Sequence, residues 1–242
     1  MLLERVLPSW GEFFRTTLHM EGAYCAVYLD PRPETAGRLL ESLEPVDLPG
    51  TMRFIARSVR GELELTRGNA RTAALIQRVS LRYAGNWRSI LGSGSQWELY
   101  ILSMCLVTDV ELSPDDAVEL DARAVRARAT SLLREILSDP APRQRDIPTL
   151  MAFAAAVGLS AVAAEDVGSD RRAVGGELVA TALAVGTNQT CRLLSHDYLR
   201  SRTERLDVRA LAQAEERIRS LDRGGLVAHA ADLAGRLAGE VG

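Results

Sequence analysis

The sequence predicts an all-α protein, a multi-helix globular bundle of about 8–10 helices with one short strand or hairpin near the N-terminus as the exception. Three observations carry that prediction. Apolar residues recur at intervals of three and four along most of the 242 residues. Proline and glycine fall where they bracket stretches of helical length, as at Pro31, Pro45, Pro114 and Gly224–Gly225. Two stretches, Gln96–Thr108 and Ile147–Ala164, are apolar nearly all round, as helices buried on most sides are.

The elements follow in order. Ser9 and Glu12 have capping-box spacing for a first helix from Trp10 to about His19. Ala23–Asp30, AYCAVYLD, has the composition of a short strand, with a helix continued past Gly22 as the equal alternative. Pro33 is placed to open a helix through Leu43, and Pro45 and Pro49 mark the loop beyond it. Arg53–Arg88 reads as one kinked helix or two, because Gly61 and Gly68 weaken its middle; a hairpin through Arg60–Gly61 with strand GELELT is the alternative. Leu91–Ser95 is a connector, and Ser95 with Glu98 forms a capping box for Gln96–Thr108. Ser113–Pro114 opens a long helix from Asp115 to about Leu137. The proline-rich stretch Pro140–Pro148 is the expected boundary between a helical region 1–139, with its buried helix 96–108, and a second, 147–242. It serves equally as the hinge of one continuous domain.

Ile147–Ala164 carries no charge, but its seven alanines favour a buried helix over a membrane span. Ala152, Ala156, Ser160 and Ala164 repeat every fourth residue, as do Gly176, Ala180 and Ala184 in the next helix, Arg171–Thr187. Such seams let two backbones approach closely, within a hairpin or across a dimer axis. Thr190–Arg202, a helix capped by Asp207 and ending near Leu221, and Leu226–Leu237 complete the chain.

Charge supplies the clearest pattern. The net charge is −3, and all 29 basic residues are arginine. Without lysine there is no Schiff base, pyridoxal anchor or P-loop lysine. A GC-rich bacterial genome is the simplest source of that bias. Cys25, Cys105 and Cys191 lack CxxC spacing, and the first residues lack the apolar run of a signal peptide, so a reducing cytoplasm is the expected location. Residues 53–94 hold eight arginines against Glu62 and Glu64, a net +6, whereas residues 95–122 hold seven acids and no base, a net −7. Arg53, Arg57, Arg60, Arg67, Arg71 and Arg78 return to one side of a helix, while Met52, Ile55, Val59 and Leu63 form a core-facing stripe. Those six arginines are the candidate site for an anionic partner, and the acidic block is the alternative owner of their charge.

The catalytic patterns are fragmentary. Asp115, Asp116 and Glu119 form DDxxE, carboxylates one turn apart on a predicted helix. This resembles the aspartate-rich motif of isoprenoid and terpene synthases, and the resemblance implies an all-α enzyme holding Mg²⁺ against a diphosphate. Glu165–Ser169 loosely resembles the second metal motif of those enzymes, but Ala173 stands where its closing glutamate belongs. As a first-turn sequence after Ser113–Pro114, DDxxE also simply complements a helix dipole. His196–Asp197 resembles the dyad of HD phosphohydrolases without the upstream histidine, and the two RxxxH runs ending at His19 and His196 are one residue short of the HEPN ribonuclease motif. His19, His196 and His229 have no ExxH or HxxxH partner, and there is no GxSxG, GxGxxG after a strand or Walker A sequence. No catalytic residue, metal ligand or cofactor is therefore assigned. The expected function is a cytoplasmic, self-associating interaction or adaptor protein without a membrane partner, contacting an anionic surface through residues 53–88. A Mg²⁺-dependent enzyme using Asp115, Asp116 and Glu119, and a nucleic-acid-binding protein, are the alternatives.

Overall fold

The computed structural model describes residues 18–19, 22–23, 26–27, 32–43, 50–91, 96–138, 147–164, 167–187 and 192–239. These residues form ten α-helices, one 3-10 turn and no strand, so the fold is all-α as expected. Ala23, Ala26 and Val27, within the stretch with strand composition, are helical and buried. The rest of that stretch, the Trp10 helix start, Gly92–Ser95, Cys25 and Cys191 lie outside the described residues. The chain divides into two compact units, Met1–Ser80 and Leu81–Gly242.

In the first unit, α1 (Pro33–Glu41) starts on proline with Glu34 in its first turn, both favourable at a helix N-terminus. It packs against α2 (Gly50–Thr66), which is followed by α3 (Ala70–Leu91), a helix whose residues from Leu81 on belong to the second unit. The GELELT hairpin does not form, because Gly61–Thr66 continue α2 to its end. The break comes at Gly68, where φ is +83°, a region that favours glycine. Gly68 N–H donates to the Leu65 carbonyl at 3.0 Å and Asn69 N–H to the Glu64 carbonyl at 2.9 Å, the two bonds of a Schellman ending. Gly61 has a different purpose. A Cβ there would stand 2.4 Å from Gln77 Nε2, so the glycine is a notch that admits the fully buried Gln77. Gln77 Nε2 in turn donates to the Ser58 carbonyl of α2 at 3.3 Å. Val59 and Leu63 are buried, as their stripe predicts; the side chains of Met52 and Ile55 lie outside the described residues.

The second unit is built on two apolar helices. In α4 (Gln96–Asp109), Ile101, Leu102, Met104, Cys105 and Leu106 are buried; in α7 (Ile147–Ala163), every residue from Leu150 to Val162 is. A stripe on one side would leave apolar surface in water, so helices of this composition need neighbours all round. α7 accordingly packs on α4, on α6 (Ala122–Leu137), on α8 (Ser169–Val185) and on α9 (His196–Ile218). α10 (Arg223–Gly239) closes over α8 and α6. α7 and α8 approach each other closely. A Cβ on Gly158 would lie 2.5 Å from the Gly175 carbonyl oxygen, and one on Gly175 would lie 2.7 Å from that of Gly158. Ala152, Ala156, Ser160, Gly176 and Ala180 are buried along the same two helices. No described helix is long and apolar enough to cross a membrane.

One expected helix is interrupted, and two others, Thr190–Arg202 and the one capped by Asp207, join in α9. The long helix from Asp115 is split into α5 (Pro114–Glu119) and α6, because Asp121 turns left-handed at φ 51° and its carboxylate accepts the Ala124 N–H to cap α6. α9 is kinked at Asp207, whose φ and ψ are non-helical and whose carboxylate accepts the Arg209 N–H at 3.1 Å, so the capping role read from the sequence is present. Residues 139–146, most of the expected boundary, lie outside the described residues; α6 and α7 on either side of it touch and fall in one unit.

Candidate functional site

The six arginines are divided by the Gly68 break. Arg53, Arg57 and Arg60 stand on α2, Arg71 and Arg78 on α3, and Arg67 at the junction. Arg53, Arg67 and Arg71 are exposed; Arg57, Arg60 and Arg78 are half-buried. Arg67 Nη1 donates to Glu64 Oε1 at 3.0 Å and Nη2 to the Pro33 carbonyl at 3.4 Å, so this side chain ties the end of α2 to the start of α1. The other five also take part in electrostatic or hydrogen-bonding contacts, so none is an isolated charge.

The structure adds a feature that the charge pattern did not show. On α3, Ala73, Ala74, Gln77 and Ser80 face inward, which turns Arg71, Leu75 and Val79 outward at successive i, i+4 positions. Leu75 is 45% exposed and Val79 38%. The outer side of α3 is therefore a mixed stripe, a guanidinium followed by two aliphatic side chains. The signal was available in the sequence as Leu75 and Val79 lying off the inward arc, but the arginines masked it.

Three residues of the acidic block, Glu98, Glu111 and Asp116, have partners within their own unit. Glu98 is buried at 2% exposure and accepts from Arg128 Nη2 at 3.0 Å. Glu111 pairs with Arg202 and lies 3.5 Å from the Tyr198 hydroxyl. Asp116 accepts from the Ser113 hydroxyl at 2.7 Å, while the Asp116 N–H donates to the same oxygen at 3.2 Å, a reciprocal N-cap. Asp115 and Glu119 are exposed, and between them Val118 is 82% exposed. A cavity of about 630 Å³ opens beside α5, but none of Asp115, Asp116 and Glu119 lines it. Among the described residues no three or more acidic, histidine or cysteine side chains are grouped to hold a metal ion. Glu165 and Asp166 lie outside the described residues.

The histidines are dispersed. His19 Nδ1 is 2.6 Å from the Ser42 hydroxyl, and His196 Nδ1 is 3.7 Å from a fully exposed Asp197 carboxylate. His229 is the one with a defined setting. Its Nε2 lies 2.8 Å from Glu177 Oε1, while Arg217 donates to Glu177 Oε2 from Nε at 3.0 Å and Nη2 at 2.8 Å. Burial pushes the Glu177 carboxyl up, but the hydrogen bonds and charges of Arg217 and His229 outweigh it and hold the group below its ordinary value. The partners come from α8, α9 and α10, and separations of 40 and 52 residues hid this cluster from any local motif.

Comparison of the chain with protein-family profiles, curated proteins and solved structures returns no match.

Proposed function

We propose that the chain is an α-helical interaction protein that docks on an acidic protein surface, first of all that of a second copy of itself, through the outer face of α2 and α3. The observation that carries this reading is the stripe of Arg71, Leu75 and Val79, in which apolar contact area lies beside guanidinium charge. Interface cores combine apolar side chains and arginine in this way, and lone exposed aliphatics need no such explanation. Arg53, Arg57 and Arg60 on α2, with Arg78 and the junctional Arg67, extend the positive field around it. The second copy is favoured because α5 has the converse composition, exposed Val118 between exposed Asp115 and Glu119. A reducing, cytoplasmic location is part of the same proposal, supported by the isolated cysteines; Cys105 is a buried thiol outside any disulfide.

Sedimentation of the purified chain across a salt series tests it. Wild type is expected to self-associate at low salt and to dissociate as salt rises. The triple variant Arg53→Gln, Arg57→Gln, Arg60→Gln should associate more weakly, and Leu75→Glu with Val79→Glu should be monomeric at every salt concentration. Unchanged assembly of both variants, or a wild type that is monomeric throughout, would overturn the reading.

A further inference from the structure

We infer that the cavity between α4, α5, α6 and α7 is the socket into which Leu75 and Val79 of a second copy insert. The inference rests on the docking proposed above and names the surface that receives the α3 stripe. The cavity, of about 630 Å³, is within the size range of pockets that hold a whole small molecule, so two aliphatic side chains fit. Leu106, Val110, Ala117, Val118 and Ala163 supply apolar lining. Its charged lining residues are already engaged. Asp109, Arg123 and Arg126 take part in electrostatic or hydrogen-bonding contacts, and Asp121 accepts the Ala124 N–H. The surface left to satisfy is therefore apolar. Val118 marks its mouth, lining the cavity while its side chain is largely exposed. α3 presents the converse shape: Leu75 and Val79, one turn apart, project from a helix whose other side is packed. Interfaces gain most where an apolar anchor fills a recess that excludes water. Charge favours a second copy as the occupant. Asp115, next to the lining residue Pro114, is exposed, and its carboxylate has no partner among the described residues. The stripe comes from residues 53–94, which hold eight arginines against two acids. Arg71 already takes part in a contact, so the attraction comes from that excess and not from one side chain. Each copy carries one stripe, in its first unit, and one cavity, in its second. Such a contact is heterologous, and it closes into a ring or extends head to tail.

Sedimentation of single variants and of their mixtures at low salt provides the test. Ala163→Phe fills the cavity from α7 and Val110→Phe from the turn after α4, both at half-buried positions. Each should be monomeric although its α3 stripe is intact. Leu75→Glu with Val79→Glu should be monomeric although its cavity is intact. Mixed in equal amounts, a filled-cavity variant and the stripe variant should form a 1:1 heterodimer and nothing larger, because each supplies what the other lacks. Val118→Glu, at an exposed position, takes the place of the filled variants if neither folds. Assembly of the filled variants, or of Val118→Glu, at the wild-type level would overturn the socket and leave the α3 docking standing. A stripe variant that assembles, or a wild type that is monomeric, would overturn both. A mixture that stays monomeric would show that stripe and cavity are not partners, and the inference falls with it.

Discussion

Gly158 and Gly61 are both helical glycines, and only their neighbours separate them. At Gly158 a Cβ would collide with the Gly175 carbonyl at 2.5 Å and with Val179 at 2.9 Å, atoms held by a packed helix. Gly158→Ala should therefore destabilise the chain by about 1–3 kcal/mol or more, read as a lower urea midpoint. At Gly61 the nearest atom is the end of the Gln77 side chain, which can rotate away. Overlap there is partly offset by the gain of about 1 kcal/mol when alanine replaces glycine in a helix. Gly61→Ala should thus change stability much less than Gly158→Ala, and measured in a Gln77→Ala background Gly61→Ala should carry no cost. An equal cost at both positions would contradict the notch. By helix propensity alone the two glycines are alike, because the sequence contains no information on which atoms face them.

At the scale of the element, one carboxylate joins three helices. Glu177 of α8 meets Arg217 of α9 and His229 of α10, and these partners keep it ionised below its ordinary pKa of 4.5. A lowered folded-state pKa means that folding favours the ionised form. Its contribution is complete above the ordinary value and is lost as pH falls below 4.5 through the folded one. Urea unfolding of wild type should show falling stability in that acidic window. Glu177→Gln should be less stable by about 1–3 kcal/mol at neutral pH, where hydrogen bonds to a charged group are lost, and should show a smaller loss on acidification. A variant with the wild-type pH profile would remove Glu177 from this role. The helices themselves were largely legible: α4, α7, α8 and the Ser113–Pro114 start lie close to their expected bounds. The Asp121 break was not, since aspartate caps a helix or lies within one according to the path of its neighbours.

At the scale of the molecule, the sequence sets opposite charge blocks side by side, and proximity in the chain invites their pairing. Two of the acids, Glu98 and Glu111, instead pair with Arg128 and Arg202, which lie 30 and 91 residues further on. The proposed assembly therefore depends on side chains that remain at the surface. Asp115→Asn with Glu119→Gln should weaken low-salt self-association as the α2 arginine variant does, measured by sedimentation; full assembly of that variant would remove α5 from the interface.

The sequence by itself determined the helical class, the two helices to be buried on all sides and most helix starts. These follow from periodicity, hydropathy and capping, which act within a few residues along the chain. Tertiary structure alone decided that Gly158 and Gly175 set the α7–α8 distance, that Gly61 receives Gln77, and that Glu177 gathers Arg217 and His229. It also decided which side of α3 turns to water. Each depends on atoms brought together from distant parts of the chain, where sterics and charge act over ångströms rather than over residue number.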